Sequence, residues 1–130
     1  MAESGRRIAE ALAARPDDEP PWGALRRSFD VLTRMNEAAP EQALGYLRML
    51  RQTPSLRAGH HEEQLGRHEL LVPEIARRLG ADPDRPEDTR PSALAAAALA
   101  CLDGAATAWV ACEGTVPLAV LLGAMGALAG

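Results

Sequence analysis

The chain has 130 residues and a net charge of −4, and this length suffices for one domain with a single apolar core. Every basic residue is Arg, and arginines scattered along an acidic chain argue against nucleic-acid binding by this chain alone. The composition is rich in alanine, with only two Trp, one Tyr and one Phe, which favours helices over strands. The predicted fold is therefore an all-α bundle of about six helices, in a single domain over residues 1–130.

The first predicted element is a helix over Ala2–Arg15. Its apolar face is thin, with Ile8 and Leu12 four residues apart, which is typical of the end of a connector helix. Because Met1–Arg15 carries charges in place of an apolar run, the sequence predicts no signal peptide and a cytoplasmic protein. The lack of Lys, together with the Ala, Arg and Gly bias, is typical of high-GC bacteria. A segment rich in Pro and Asp, residues 16–21, ends the helix.

Three further helices are predicted in the middle of the chain: Trp22–Ala38, Glu41–Gln52 and Pro54–Leu79. The third is the longest, with Thr53 as its predicted N-cap and Gly80 as its C-cap. Pro73 removes a backbone hydrogen bond inside this helix and is expected to kink or divide it. The inward stripe expected for the same helix contains His61, Leu65, His68, Val72, Ile75 and Leu79.

No arrangement of residues in the sequence predicts catalysis or a bound metal. His61 and His68 share a helix face but lie about 10.5 Å apart along its axis, too far to chelate one ion without other ligands. His60 is expected to be solvated, and the HExxH motif is absent. Cys101 and Cys112 are roughly 16 Å apart on one predicted helix, which is too far for a disulfide. The prediction is a protein that is not an enzyme and carries no cofactor.

The C-terminal segment, residues 92–130, is rich in Ala, Leu and Gly, and its only charges are Asp103 and Glu113. It predicts two helices, Ser92–Cys112 and one that starts near Pro117. Helices so poor in charge cannot both face water, so we expect them to pack against a second copy of the chain. Two alternatives remain. One is a buried hairpin inside one protomer; the other is a membrane hairpin, which the mid-helix charge of Asp103 disfavours.

Large or flexible side chains in the middle helices and in the first C-terminal helix, among them Phe29, Met35, Met49 and Trp109, face many small alanines. Such a core either leaves a cavity or closes around Met as a gap filler, and the sequence leaves both outcomes open. A polar side chain such as His68 on a cavity wall would orient a ligand in a pocket that is mostly apolar.

Six segments, in order along the chain, carry a resemblance to a known family: EALAARPDDEPPW, ALRRSFDVL, LRMLRQTPSLRAGHHEEQ, ARRLGADPD, ALAAAALACLDGAATAWVACEG and PLAVLLGAMGAL. This order resembles the C-terminal regulatory domain of TetR-family transcriptional regulators. It is most similar to the group whose C-terminal domain is shared with the mycofactocin-system regulator. The resemblance covers nearly the whole chain, and its most specific parts are the TPSLR start at Thr53 and the Ala-rich helix that reaches Trp109.

The resemblance implies that the middle helices enclose an effector pocket and that the last two helices form a four-helix bundle with a two-fold mate. The pocket residues expected from the helix faces are Phe29, Leu32, Met35, Leu47, Leu65, His68, Leu102 and Trp109. The expected dimer contacts are Ala97, Cys101, Gly104, Ala108, Leu118, Leu122 and Met125. The partners implied are a second copy of this chain and an apolar small-molecule effector, with acyl-CoA as one candidate, and no membrane.

The DNA-binding head of the family is expected to be missing, because Met1–Arg15 matches the end of the helix that follows that head. The first hypothesis is therefore a ligand-sensing, dimerising regulatory domain that reaches DNA only through a head absent from this chain. The second is a stand-alone helical interaction protein that pairs with itself or with full-length relatives and senses nothing. A small helical enzyme is a third and weaker alternative.

Overall fold

A computed structural model describes residues 2–129, and the side chains of residues 3–128. These residues form α-helices and one terminal 3₁₀ segment, with no strand among them, so the predicted all-α fold is confirmed. The helices are α1 (Ala2–Ala13), α2 (Pro21–Ser28), α3 (Asp30–Ala38), α4 (Pro40–Gln52), α5 (Pro54–Leu79), α6 (Arg90–Ala111) and α7 (Leu118–Gly123), followed by the 3₁₀ segment Ala124–Ala129.

Proline and glycine set most of the helix boundaries. Helices α2, α4 and α5 begin at Pro21, Pro40 and Pro54, where the missing N–H costs nothing and φ is already helical. Helix α5 has the predicted bounds and ends at Gly80, which adopts the left-handed conformation (φ 66°). Thr53 occupies the N-cap position, but its side chain makes no capping hydrogen bond. Pro73 does not divide the helix, which continues through it.

The single helix predicted over Trp22–Ala38 is in fact two helices that meet at Phe29. Phe29 keeps helical backbone angles (φ −72°, ψ −11°), so the interruption is a local loss of hydrogen bonding and not a loop. The Ser28 hydroxyl donates to the Leu25 carbonyl oxygen at 2.7 Å, while the Phe29 N–H reaches the same oxygen at 3.3 Å. This competition explains the break, and hydrophobic periodicity does not reveal it.

Helix α5 is the centre of the fold and contacts α1, α4 and α6. The apolar core includes residues from both ends of the chain, so a single core serves the whole of this short protein. Its largest fully buried side chains are Ile8, Leu12, Leu25, Phe29, Leu71, Ile75, Trp109, Leu118 and Leu122. Trp22 joins the C-terminal segment to α2, because its indole N–H donates to the Met125 carbonyl oxygen at 2.9 Å.

The inward face of α5 matches the predicted stripe only in its C-terminal half, where Ile75 is buried and Val72 and Leu79 pack against the core. In the N-terminal half the buried residue is Arg67, while Leu65 is 48% exposed and His61 is exposed. The prediction is wrong there because this half of the inward face carries polar side chains. Those side chains find partners on α1 and α6, and a reading based on apolar periodicity assigns them to the surface.

Arg78 fixes the C-terminal end of α1 to α5. Its side chain is fully buried, and its guanidinium donates to the carbonyl oxygens of Leu12 (2.9 Å), Arg15 (2.8 Å) and Pro16 (2.7 Å). These carbonyls lie at and just beyond the end of α1, where intrahelical partners run out. The cation therefore caps the helix, and Ile8 and Leu12 belong to the common core.

The two faces of α6 differ in burial. Ala95, Leu99, Leu102 and Trp109 face the core, whereas the opposite side, made of small residues, remains exposed. By length and composition alone α6 is apolar enough to cross a membrane, but one such helix is weak grounds for a membrane protein. A turn with positive φ at Glu113 (53°) and Gly114 (74°) leads into α7.

Candidate ligand-binding site

A cavity of about 800 Å³ lies between α1, α3, α4, α5 and α6. Ligand pockets in proteins are typically about 300–1,000 Å³, so its size suits a small organic molecule. One wall is apolar and is built by Leu32, Leu47, Leu50, Leu102 and Leu118, each on a different helix except for the neighbours in α4. This wall gives a ligand a surface from which water is excluded.

Another part of the lining is polar and starts at Asp103, the only acidic residue of α6. Its Oδ1 lies 3.1 Å from His60 Nε2, and its Oδ2 accepts a hydrogen bond from the Gln64 amide at 3.1 Å. Burial disfavours the charged carboxylate, but these hydrogen bonds and the nearby charges of His60 and Arg67 outweigh it. They hold the pKa of Asp103 below its usual value.

The polar wall continues through Arg67 to α1. The Arg67 guanidinium donates to the Gln64 side-chain oxygen at 2.6 Å, to the Ser4 hydroxyl at 3.0 Å and to the Glu63 carboxylate at 3.0 Å. Its side chain is only 10% exposed, and its Nε has no hydrogen-bond partner in the part of the chain described. An unbroken series of polar contacts therefore joins α6, α5 and α1 along the cavity. We call Ser4, His60, Glu63, Gln64, Arg67 and Asp103 the polar wall.

The solvent-exposed part of the lining, which we call the mouth of the cavity, carries cationic side chains. Arg51 and Arg57 line it, are exposed, and make no ion pair among residues 3–128. Arg7 is also there, paired with Glu3 at 3.4 Å on the surface of α1. Free guanidinium groups beside an apolar cavity favour a ligand with an anionic end.

The structure brings together half of the predicted pocket residues. Leu32, Met35, Leu47 and Leu102 line the cavity. Phe29 and Trp109 are 0% and 1% exposed in the core and do not line the cavity. Leu65 and His68 also lie outside the lining; His68 Nε2 is 3.1 Å from the Ser92 carbonyl oxygen.

The polar wall is not predicted by the sequence. His60 was expected to be solvated, yet it is partly buried against Asp103. Two signals were present in the sequence: a lone acid inside an apolar helix, and polar residues at spacings of three and four on α5. Neither signal identifies the residue that each polar side chain contacts, because the contacts are distant in sequence. Ser4 lies 63 residues from Arg67, and Asp103 lies 43 residues from His60.

The predicted dimer residues fall into two groups. On α6, Ala97 and Gly104 are exposed, and Cys101 and Ala108 are partly exposed, so this stripe is accessible on one protomer. The structure instead encloses the three residues predicted from the last helix, because this helix turns its large side chains toward α2, α3 and α6. These three residues are Leu118, Leu122 and Met125, each no more than 3% exposed. The residues that α7 and the following segment present outward are Val120 and Leu128, which are 63% and 71% exposed. The structure describes one protomer, so the dimer interface remains a prediction.

Within residues 2–129 no group of three or more His, Cys, Asp and Glu side chains is placed to hold a metal ion. Cys101 and Cys112 are both free thiols. The cavity combines an apolar wall, a hydrogen-bonded polar wall and cations at the mouth.

One family model matches the chain, over residues 19–129, and its description is the MftR C-terminal domain. It is a C-terminal domain of the TetR family, and the match covers α2 to the 3₁₀ segment. A search of curated proteins and a search of solved structures each found no matching protein.

Proposed function

This chain belongs to the MftR C-terminal domain family of TetR-type proteins, and on that premise we propose that it is the effector-binding and dimerisation domain of a transcriptional regulator. Domains of this family are regulatory and of a non-enzymatic kind. In the proposal the domain acts in the cytoplasm and influences DNA only through a DNA-binding head joined to α1.

The observation that carries the ligand-sensing part is the cavity of about 800 Å³ with two unlike walls. In a closely packed core, polar side chains such as Asp103, His60 and Arg67 would not be expected to line a cavity. The leucine wall would take the apolar part of an effector, and the polar wall would orient it. Arg51 and Arg57 at the mouth favour an amphipathic anion, so acyl-CoA is the candidate that we propose to test first.

The polar wall also supplies a route from the ligand to α1. A ligand group that hydrogen-bonds Asp103 or Gln64 competes with the contacts that hold Arg67, and Arg67 in turn holds Ser4 on α1. The C-terminal end of α1 is fixed independently by Arg78, so a response would be confined to its N-terminal end, where Ser4 also donates to Glu63 at 3.2 Å. In a regulator whose DNA-binding head precedes α1, this response would change the position of that head.

Dimerisation is proposed through the exposed small-residue stripe of α6, at Ala97, Cys101, Gly104 and Ala108. Small side chains let two helices approach closely, and the stripe is too apolar to be an ordinary solvated face. A Cβ added to Gly104 would meet nothing within 4 Å inside the protomer. Gly104→Arg should therefore fold normally but sediment as a monomer, whereas Gly59→Arg, an equally open position on α5, should leave the dimer intact.

Ligand binding is tested by filling the cavity without removing any of its groups. Ala106 lines the cavity, so Ala106→Phe should abolish binding, while Ala58→Phe places the same ring on an exposed part of α5 outside the cavity. The measurement is the thermal shift and calorimetric titration of the wild type and both variants with decanoyl-CoA, decanoic acid and CoA. A ligand at 100 times its Kd stabilises the folded state by about 2.7 kcal/mol, a shift of several degrees.

The proposal expects binding by the wild type and Ala58→Phe and no binding by Ala106→Phe. Tighter binding of decanoyl-CoA than of decanoic acid would indicate that the cations at the mouth bind the CoA phosphates. Equal binding to all three proteins, or no binding of any probe to a dimeric wild type, would overturn ligand sensing and leave a helical dimer that senses nothing.

A further inference from the structure

A second cleft, of about 570 Å³, lies at the C-terminal end of α1, between that helix, α2 and α3. It shares no lining residue with the cavity described above. Its apolar lining residues are Ala11, Ala14 and Val31, whose side chains are small. Its rim carries the guanidinium groups of Arg15, Arg26, Arg27 and Arg34.

The cleft concentrates positive charge in a chain that is negative overall. Two acids pair with three of its four arginines: Asp30, which lines the cleft, with Arg26, and Glu19 with Arg15 and Arg27. Four positive and two negative side chains give the cleft a local charge of +2, against −4 for the whole chain. A concave surface with an excess of positive charge attracts small anions.

The two acids orient the arginines but leave most of their donors unused. Glu19 accepts two hydrogen bonds from Arg15, at 2.8 and 2.7 Å, and one from Arg27 at 2.6 Å. Hydrogen bonds from Arg15, ahead of the opposing effect of burial, lower the pKa of Glu19 to about 2, so this carboxylate stays charged. Each guanidinium has five N–H donors, and Arg34 makes no ion pair among residues 3–128.

The backbone under the cleft is held rigidly. Arg78, which is fully buried, donates to the carbonyl oxygens of Leu12, Arg15 and Pro16 and so fixes the segment that carries Arg15. On the other side, Arg26 is held by Asp30 at 2.8 Å across one turn. Arg15 and Arg26 are therefore positioned before an anion binds, and side chains held in this way lose less conformational entropy on binding.

We propose that this cleft binds a phosphate group, either as free phosphate or as the phosphate of a small organic molecule. Guanidinium groups match the oxygens of a phosphate by paired hydrogen bonds, and several of them converge here with free donors. The site lies beside the segment that anchors α1, so an anion there would reinforce the end of α1 that does not touch the polar wall.

The test is calorimetric titration of the full chain with sodium phosphate and with AMP at low ionic strength, where screening is weak. The variants are Arg34→Gln and Arg27→Gln; the matched control is Arg48→Gln, an exposed arginine on α4 outside both cavities. Each cleft variant should weaken binding about tenfold, the loss expected for one charge-assisted hydrogen bond, and the control should bind as the wild type does.

The two anions distinguish the sources of the phosphate. Tighter binding of AMP assigns the cleft to a phosphate carried on an organic molecule, and equal or tighter binding of phosphate assigns it to the free ion. The proposal is overturned if neither anion gives a saturable signal below about 10 mM, a concentration that corresponds to negligible affinity. It is also overturned if Arg48→Gln weakens binding as much as Arg34→Gln does.

Discussion

The two halves of α5 face the same neighbour, α1, with different chemistry. In the C-terminal half, Leu71 and Ile75 are fully buried in the core that also holds Ile8 and Leu12. In the N-terminal half, Arg67 meets Ser4 through hydrogen bonds, and a cavity remains beside them. Close apolar packing has one good arrangement, whereas hydrogen bonds can be exchanged for others of similar energy. Under the proposed function, the C-terminal half of α5 anchors α1 and the N-terminal half responds to the ligand.

The largest effect on stability should come from the apolar half. Leu71→Ala removes a fully buried side chain from a packed region and should lower the free energy of unfolding by about 2–5 kcal/mol. The matched variant is Leu70→Ala, the next position along the helix, which is 46% exposed. Urea denaturation followed by circular dichroism measures both. Similar losses in the two variants would mean that this half of α5 is not packed as described.

A smaller loss should come from the polar half. Arg67→Met removes the guanidinium that pairs with the partly buried Glu63 carboxylate, which keeps its contact with Ser4, and should cost about 1–3 kcal/mol. Arg57→Met removes an exposed arginine from the same helix without an ion pair and should cost less than about 0.5 kcal/mol. Urea denaturation of the two variants gives the comparison. If Arg67→Met is as stable as Arg57→Met, the polar wall contributes nothing to the attachment of α1.

The smallest effect is a pH dependence that belongs to Asp103. Because hydrogen bonds lower its pKa in the folded state, its contribution is present above the ordinary Asp pKa, about 3.9, and is lost as pH falls through the lower folded value. The wild type should therefore lose more stability than Asp103→Asn between about pH 5 and pH 3. Thermal unfolding of both proteins across this range measures the difference. Parallel curves would show that His60 and Gln64 do not stabilise the charged carboxylate.

The sequence predicted the elements of the anchoring half better than those of the responding half. The bounds of α5, the glycine at position 80 and the apolar role of Ile75 follow from local rules: a proline start, a left-handed stop and helical periodicity. The positions of His60 and Arg67 do not follow from such rules. Each is polar and would be placed in water by its own chemistry, and its burial depends on a partner from another helix.

The break at Phe29 and the direction of α7 were missed for a related reason. The break depends on where the hydroxyl of Ser28 points, a choice that periodicity does not record. The large side chains of α7 suit a partner protomer and the protomer's own core equally well. Leu118 and Leu122 lie in the protomer's own core, where α2, α3 and α6 leave room for them.

The most direct test of the central claim is hydrogen exchange of the chain with and without saturating decanoyl-CoA, read by mass spectrometry at peptide resolution. The account predicts that ligand binding changes the protection of residues 4–8 in α1 and of residues 60–67 in α5. It predicts no change for residues 71–78, which form the anchoring half. A ligand that protects the cavity residues of α4 and α6 but leaves residues 4–8 unchanged would contradict the claim that the polar wall couples the cavity to α1.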